Sequence, residues 1–263
     1  MTTRYIDAGV NLTSSQFDDA RDDIVMRAKQ AGVDNMLLIG TNTQDSMHCL
    51  QLARHYGFVC TAGIHPHDAK STQADYIAQL KTLFLHPEVV AVGECGLDFN
   101  RNFSPRSEQI SVLSQQLELA EQNNLPVYLH ERDAFDAMRA QLEQVKVHGV
   151  LHCFTGDKHA LDFYLHYGLM IGITGWVCDE RRGAQLQQLV PLIPDDRLLI
   201  ETDAPYLLPR TLKPKPKSRR NEPAFVEAIV REVARLRGQS CEHVAKISHA
   251  NFQRLFITRR GTQ

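Results

Sequence analysis

Five acidic or imidazole side chains in this sequence each sit directly after a short apolar, β-branched run. His65 follows residues 59–64, Glu94 follows 89–93, His130 follows 126–129, His152 follows 149–151, and Asp203 closes the stretch 198–203. Short runs rich in Val, Ile and Leu, bounded by Gly or Pro, read as buried strands. Strands that end in His, Glu or Asp line up their terminal side chains along one rim of a sheet. In a (β/α)8 barrel that rim is the C-terminal face, where the active site forms in essentially every characterised example. The pattern points to a metal-dependent hydrolase on such a barrel.

Strand and helix patterns alternate from end to end. Strands are expected at residues 5–10, 34–39, 59–64, 89–92, 127–129, 150–151, 169–173 and 198–200. Polar-faced helical segments fill the gaps. The clearest begins at Ser104-Pro105, an N-cap followed by proline at the first helical position. Ile110, Leu113, Leu117 and Ala120 then mark one apolar face, and Asn123-Asn124 ends the helix. A last helix is expected over 241–256. Alternation without runs of consecutive strands means a parallel sheet. A doubly wound open sheet predicts the same alternation, but candidate ligands at five strand ends are too many for one switch-point crevice. The 263 residues are close to the roughly 250 of one such barrel. With no linker or low-complexity segment, residues 1–263 read as a single TIM-barrel hydrolase domain.

The net charge of −2 gives no global attraction to nucleic acid, so polyanion binding must come from a local patch. Cys49, Cys60, Cys95, Cys153, Cys178 and Cys241 form no CxxC pair and no zinc-finger spacing. Several fall in or beside strands, where buried free thiols are the common outcome. A reducing, cytoplasmic setting is expected. The opening residues lack a signal-peptide pattern, and no apolar run approaches a membrane span. No helix face is apolar beyond the needs of the core, which suggests a monomer.

Successive motifs then resemble a known family. Gly63-Ile64-His65-Pro66-His67, Gly93-Glu94-Cys95-Gly96-Leu97-Asp98, His130-Glu131-Arg132-Asp133, His152-Cys153-Phe154-Thr155-Gly156 and Glu201-Thr202-Asp203-Ala204-Pro205-Tyr206 resemble those of the TatD metal-dependent nucleases. The resemblance runs in order from Asp7 to Asn221-Glu222-Pro223, nearly the whole chain. It is greatest to members with 3′–5′ exonuclease action on single-stranded DNA and RNA. It implies a barrel of the amidohydrolase type and divalent-metal hydrolysis of phosphodiesters. By resemblance, Glu94, His130, His152 and Asp203 carry the family's metal and catalytic positions; with His65, read from its own place after a strand, Asp203 and Glu94 form the candidate catalytic group.

One stretch departs from the family. Most relatives carry Asp-x-His-x-His at the end of the first strand, with both histidines as ligands. Here the sequence is Asp7-Ala8-Gly9-Val10-Asn11. Losing two imidazoles removes ligands that favour tight zinc binding. The remaining carboxylates, two histidines and the Asn11 carbonyl suit Mg2+, or Mn2+, held partly through water. One protein-held ion is expected, with a second arriving with the substrate phosphate.

A bound divalent ion lowers the pKa of water and acts as a Lewis acid, which phosphodiester cleavage requires. Glu94 is the candidate anchoring carboxylate. Asp203 is placed to accept a proton from the attacking water or to ligate the metal, and Glu201 shares its face. His65 contacts the scissile phosphate, binds a second ion or protonates the leaving oxygen. His67 reads equally well as a surface loop histidine, and Asp98 as a brace for the loop after Glu94. Lys213, Lys215, Lys217, Arg219 and Arg220, stiffened by Pro214 and Pro216, form a basic arm suited to tracking phosphates, and Arg132 adds charge at the rim. Phe99, Phe154, Trp176 and Tyr206 follow strand ends, where rings stack bases or cover the barrel. Two other readings remain open at this stage. Related barrels hydrolyse amides and esters, usually with a bridging lysine where Glu94 stands. A non-catalytic nucleic-acid-binding barrel is the third, although such a binder needs no full ligand set.

Overall fold

The computed structural model describes residues 3–258. Its elements alternate: β1 (Tyr5–Val10), α1 (Arg21–Gln30), β2 (Val33–Leu38), α2 (Thr43–Tyr56), β3 (Val59–Ala62), α3 (Tyr76–Leu83), β4 (Val89–Asp98), α4 (Arg106–Asn123), β5 (Val127–Arg132), α5 (Phe135–Leu142), β6 (Gly149–Leu151), α6 (Lys158–Tyr167), β7 (Met170–Ile173), α7 (Ala184–Leu189), β8 (Leu198–Ile200), α8 (Val226–Arg237) and α9 (Cys241–Phe252). The strands follow one another in the sheet in the order β1 to β8. Val10 forms a parallel bridge to Ala204, just past β8. The Asn11 amide donates to the Ala204 carbonyl at 2.8 Å, and the Asp203 amide to the Gly9 carbonyl at 2.9 Å. Sequential order with the first strand joined to the chain leaving the last is that of a (β/α)8 barrel. An open doubly wound sheet would instead reverse its strand order part-way. By internal contacts the described residues divide into two compact units, 38–152 and 3–37 with 153–258.

In the unit 38–152, the β3–β4, β4–β5 and β5–β6 pairings are parallel. Helix α2 starts where the Asn42 side chain accepts from the Asp45 amide and stops at Gly57, whose φ of 77° is left-handed. Strand β4 corrects the expected boundary. It runs on past Val92 to Asp98, with all ten residues buried. The register shifts there, Gly93 facing Tyr128 and Cys95 facing Leu129, so Glu94 is the extra residue of a bulge. Bulges re-aim side chains next to active sites. Gly96 has a φ of 153°. A Cβ there would run into the His130 carbonyl oxygen, so only glycine lets β5 approach. Strand β5 extends with β4, pairing Leu97 with Glu131 and Asp98 with Arg132. Ser104 is not the cap of α4. Its hydroxyl donates to the His67 carbonyl at 2.8 Å and accepts from the Lys70 amide at 3.1 Å, and Pro105 takes the cap position without a side-chain bond.

In the other unit, β7 and β8 pair in parallel, and α9 follows α8 after the left-handed Gly238. The expected last helix breaks at Phe252, and a π turn continues over Gln253–Ile257. Asp7 is fully buried in β1 and binds the chain after β8. Its Oδ1 accepts from the Thr202 amide at 2.7 Å, and its Oδ2 lies 2.5 Å from the Thr202 hydroxyl. Burial pushes its carboxyl from an ordinary 3.8 up to about 8, with the Thr202 hydrogen bonds pulling the other way. The folded state therefore keeps this proton where the unfolded chain has lost it. The resulting stability is complete below the unfolded pKa and is lost as pH rises through about 8. Asparagine at position 7 mimics the protonated acid, its amide donating to Thr202. Asp7→Asn should thus remove much of the stability loss between about pH 6 and about pH 9, read by urea denaturation at both. An unchanged pH dependence in the variant would show that Asp7 is ionised throughout.

Candidate metal centre

Three imidazoles converge on one carboxylate oxygen within the unit 38–152. Glu94 Oε1 lies 2.9 Å from His130 Nδ1, 3.5 Å from His65 Nε2 and 3.7 Å from His152 Nε2. Glu94 and His130 lie within β4 and β5, and His65 and His152 just after β3 and β6. The Glu94 amide donates to the Gly40 carbonyl, and the His65 amide to the Thr41 carbonyl, both at 2.8 Å. Buried Gln116 clasps Ile64 through both its amide and its carbonyl, at 2.7 and 3.0 Å, fixing the residue before His65. The sequence thus brings His65, Glu94, His130 and His152 together as expected.

The second contacts of the rings decide what each can do. His65 Nδ1 accepts from the His67 amide at 3.1 Å, so in the neutral ring Nε2 carries the hydrogen and points it at Glu94. Burial lowers the His65 pKa, against the attraction of Glu94, and keeps that ring neutral. In that tautomer His65 is a donor to an anion. His152 Nδ1 lies 2.8 Å from the Tyr128 hydroxyl. With Nδ1–H given to that oxygen, Nε2 turns its lone pair to the centre, which is how a ligating histidine is oriented. His130 turns Nδ1 to Glu94, while its buried Nε2 makes no hydrogen bond and lies 3.8 Å from Asp98 Oδ2.

The electrostatics match a cation site. Burial opposes charge on His130, but Asp98 and Glu94 outweigh it and push the imidazolium up to about 9. Burial would raise the Glu94 pKa, yet His65, His152 and His130 together hold it well below the usual carboxylate range. A buried anion that draws positive charge onto a neighbouring ring, with two ring nitrogens able to present lone pairs, fits a divalent cation. An ion held by His130 would compete with a proton for its ring nitrogen, so its affinity would fall with falling pH. The atoms of His65, Glu94 and His130 that could ligate lie within 4.8 Å of one another.

Other expected residues take defined places. His67 is no free loop histidine: its Nε2 lies 2.6 Å from Asp98 Oδ2 and its ring packs against His65 at 4.3 Å. Asp98 braces the following loop as expected, with Oδ1 accepting from the Asn100 and Arg101 amides at 3.0 and 2.8 Å. Arg132 ends β5. Phe154 is only 2% exposed, so it packs in the core and is no stacking platform. Trp176 lies under the Arg182 guanidinium at 4.6 Å. In the unit containing Asp203, that residue has a φ of 55°, and its Oδ1 accepts from the Asn11 side-chain amide at 2.9 Å. Asn11 thus holds Asp203 through its amide, a use the sequence did not suggest. Buried Glu201 accepts from the Cys153 amide at 2.6 Å and fills the space above Gly172. Lys213, Lys215, Lys217 and Arg219 are exposed on their loop. Arg220 is tethered, donating to the Gln16 carbonyl at 2.8 Å and to Glu222 at 3.2 Å. Tyr128 was missed; its only sequence signal is its place two residues before His130 on the same strand face.

Residues 6–257 match the family model described as TatD related DNase. The chain belongs to the TatD family. It is 51% identical over 256 residues, 95% of this chain and 98% of the relative, to a protein of Pectobacterium parmentieri named 3′–5′ ssDNA/RNA exonuclease TatD. A Klebsiella pneumoniae protein of the same name is 53% identical over 254 residues, covering 95% of this chain and 97% of its own. Among solved structures, the fold is similar to a TatD family hydrolase from Entamoeba histolytica. Its TM-score is 0.89 at 25% identity, with 98% of this chain and 99% of that one covered. It is also similar to the TatD homologue YJJV of Escherichia coli K12, with a TM-score of 0.88 at 28% identity over 97% and 99% of the two chains. Both likenesses cover this chain almost end to end.

Proposed function

We propose that this chain is a divalent-metal-dependent nuclease that removes nucleotides from the 3′ end of single-stranded DNA and RNA, acting as one domain. The observation that carries the reading is the convergence of three imidazoles on Glu94 Oε1, in a chain about half identical to relatives named as such exonucleases. Glu94, His130 and His152 would hold the ion, with Asp203 added by family resemblance. Two carboxylates, with water completing the ligand set, would favour Mg2+, or Mn2+, over zinc. The bound ion supplies charge neutralisation at the phosphate and a water acidic enough to attack near neutral pH. With Glu94 engaged by the ion, the His65 Nε2–H would be available to a phosphate oxygen. Asp203, steadied by Asn11, accepts a proton from water. Arg132 and the exposed arm residues Lys213, Lys215, Lys217 and Arg219 contact the strand, and Arg220 anchors the arm. The same reading places the protein in the cytoplasm as a monomer, its six cysteines being thiols suited to a reducing compartment.

The test uses an oligonucleotide labelled at its 5′ end, alone and annealed to its complement, with chelator-stripped enzyme and added Mg2+. A ladder shortening from the 3′ end is expected, and only with metal. Opening a terminal pair costs on the order of 1–2 kcal/mol per step, so the duplex should react about tenfold more slowly or worse. No metal-dependent cleavage would sink the nuclease reading, and equal rates on both forms would sink the single-strand preference.

A further inference from the structure

The loop between β4 and α4 presents an aromatic ring that the sequence did not single out. Phe103 is 53% exposed, although its neighbours on the loop are firmly held. Before it, Asp98 Oδ1 accepts from the amides of Asn100 and Arg101. After it, buried Ser104 is bonded to both His67 and Lys70, and Gln109 donates to the Ser104 carbonyl at 2.8 Å. An exposed phenyl alone means little. This one stands on the histidines of the site. Its ring meets His67 edge to face at 4.7 Å, and His67 meets His65 at 4.3 Å. His65 Nε2 is 3.5 Å from Glu94. Two ring contacts therefore separate the open phenyl from the carboxylate at the centre. Positive charge flanks it: Arg101 on the same loop is exposed, and Arg106, the first residue of α4, holds its guanidinium over the Phe99 ring at 4.4 Å.

We infer that Phe103 is a stacking platform for a nucleobase next to the scissile phosphate, with Arg101 and Arg106 drawing in the adjoining phosphates. The inference rests on the nuclease reading and adds a subsite to it. A rigid phenyl face accepts any base, because every base offers a π-face, and two guanidiniums beside it complement a polyanion. The occupant is a single strand, since a paired base keeps both faces in its own stack. A loop braced on either side of the ring holds the platform ready before the strand arrives.

The decisive comparison crosses two enzymes with two substrates. Wild type and Phe103→Ala are assayed with Mg2+ on a short single strand, and on the same strand with abasic residues at its 3′-terminal positions. Phe103→Ala should raise KM on the normal strand about ten- to a hundredfold with kcat nearly unchanged. On the abasic strand the two enzymes should match, and Phe103→Trp should retain wild-type KM on the normal one. Equal KM values for wild type and Phe103→Ala on the normal strand would overturn the inference. So would an equal loss on both strands, which marks a merely structural residue. A strand carrying 2-aminopurine at its 3′ end, bound in chelator, reads stacking without turnover. Wild type should quench its fluorescence and Phe103→Ala should not, while similar quenching by both would again overturn the inference. If wild type cleaved neither strand, the nuclease reading would fall, and the quenching would still decide on Phe103.

Discussion

Glu94→Ala should lower nuclease turnover about a thousandfold or more while the protein stays folded. The metal supplies several kcal/mol of charge stabilisation, and each 1.4 kcal/mol is a factor of ten. Glu94 is the one group that all three imidazoles address. Its loss would remove the proposed anchoring carboxylate and also the anion that helps raise the His130 pKa to about 9. Glu94→Gln keeps the shape without the charge and should be nearly as inactive. Barrel stability resides in the packed strand interior rather than at the rim, so both variants should melt close to wild type. Turnover of a labelled single strand, with circular dichroism melting as the control, makes the measurement. Near-wild-type turnover of either variant in excess Mg2+ would show that the metal is held elsewhere.

How much of this was legible beforehand can be seen strand by strand. The apolar runs located all eight strands, because buried parallel strands are nearly continuous in Val, Ile and Leu. They also placed His65, Glu94, His130 and His152 at adjoining ends. The extension of β4 through Glu94 to Asp98 was not legible. Two glycines within Gly93–Asp98 weaken any strand signal, and only pairing with β5 makes that segment extended. The role of Ser104 was misread for a related reason. Ser-Pro before an apolar face is a good cap pattern, but a hydroxyl within reach of His67 and Lys70 is used there instead. Tyr128 bonding His152, Asn11 bonding Asp203 and Gln116 clasping Ile64 join residues 24, 192 and 52 positions apart. No periodicity reports such pairs. Motifs name the groups that do chemistry, whereas the partners that set a tautomer become visible only in three dimensions.

Neutralising Lys213, Lys215, Lys217 and Arg219 together should weaken single-strand binding and flatten its dependence on salt. For single strands, log affinity falls against log salt with a slope of about 0.7 per phosphate contact. Losing four contacts should therefore reduce that slope by about 3. All four side chains are exposed, on a loop that bends at 213–214 and again over 217–219. Arg220 is left out deliberately. Its guanidinium is spent on the Gln16 carbonyl and on Glu222, and it lies over the Phe17 ring at 5.6 Å. Phe17 is fully buried, so Arg220→Gln should lower the melting temperature while leaving the slope nearly intact. The two variants thus separate charge that meets the strand from charge that fastens the arm. Fluorescence anisotropy of a labelled oligonucleotide in chelator, titrated at several salt concentrations, gives both slopes without turnover. A fourfold variant with the wild-type slope would mean that these lysines only solvate a loop and that phosphates are gripped elsewhere on the rim.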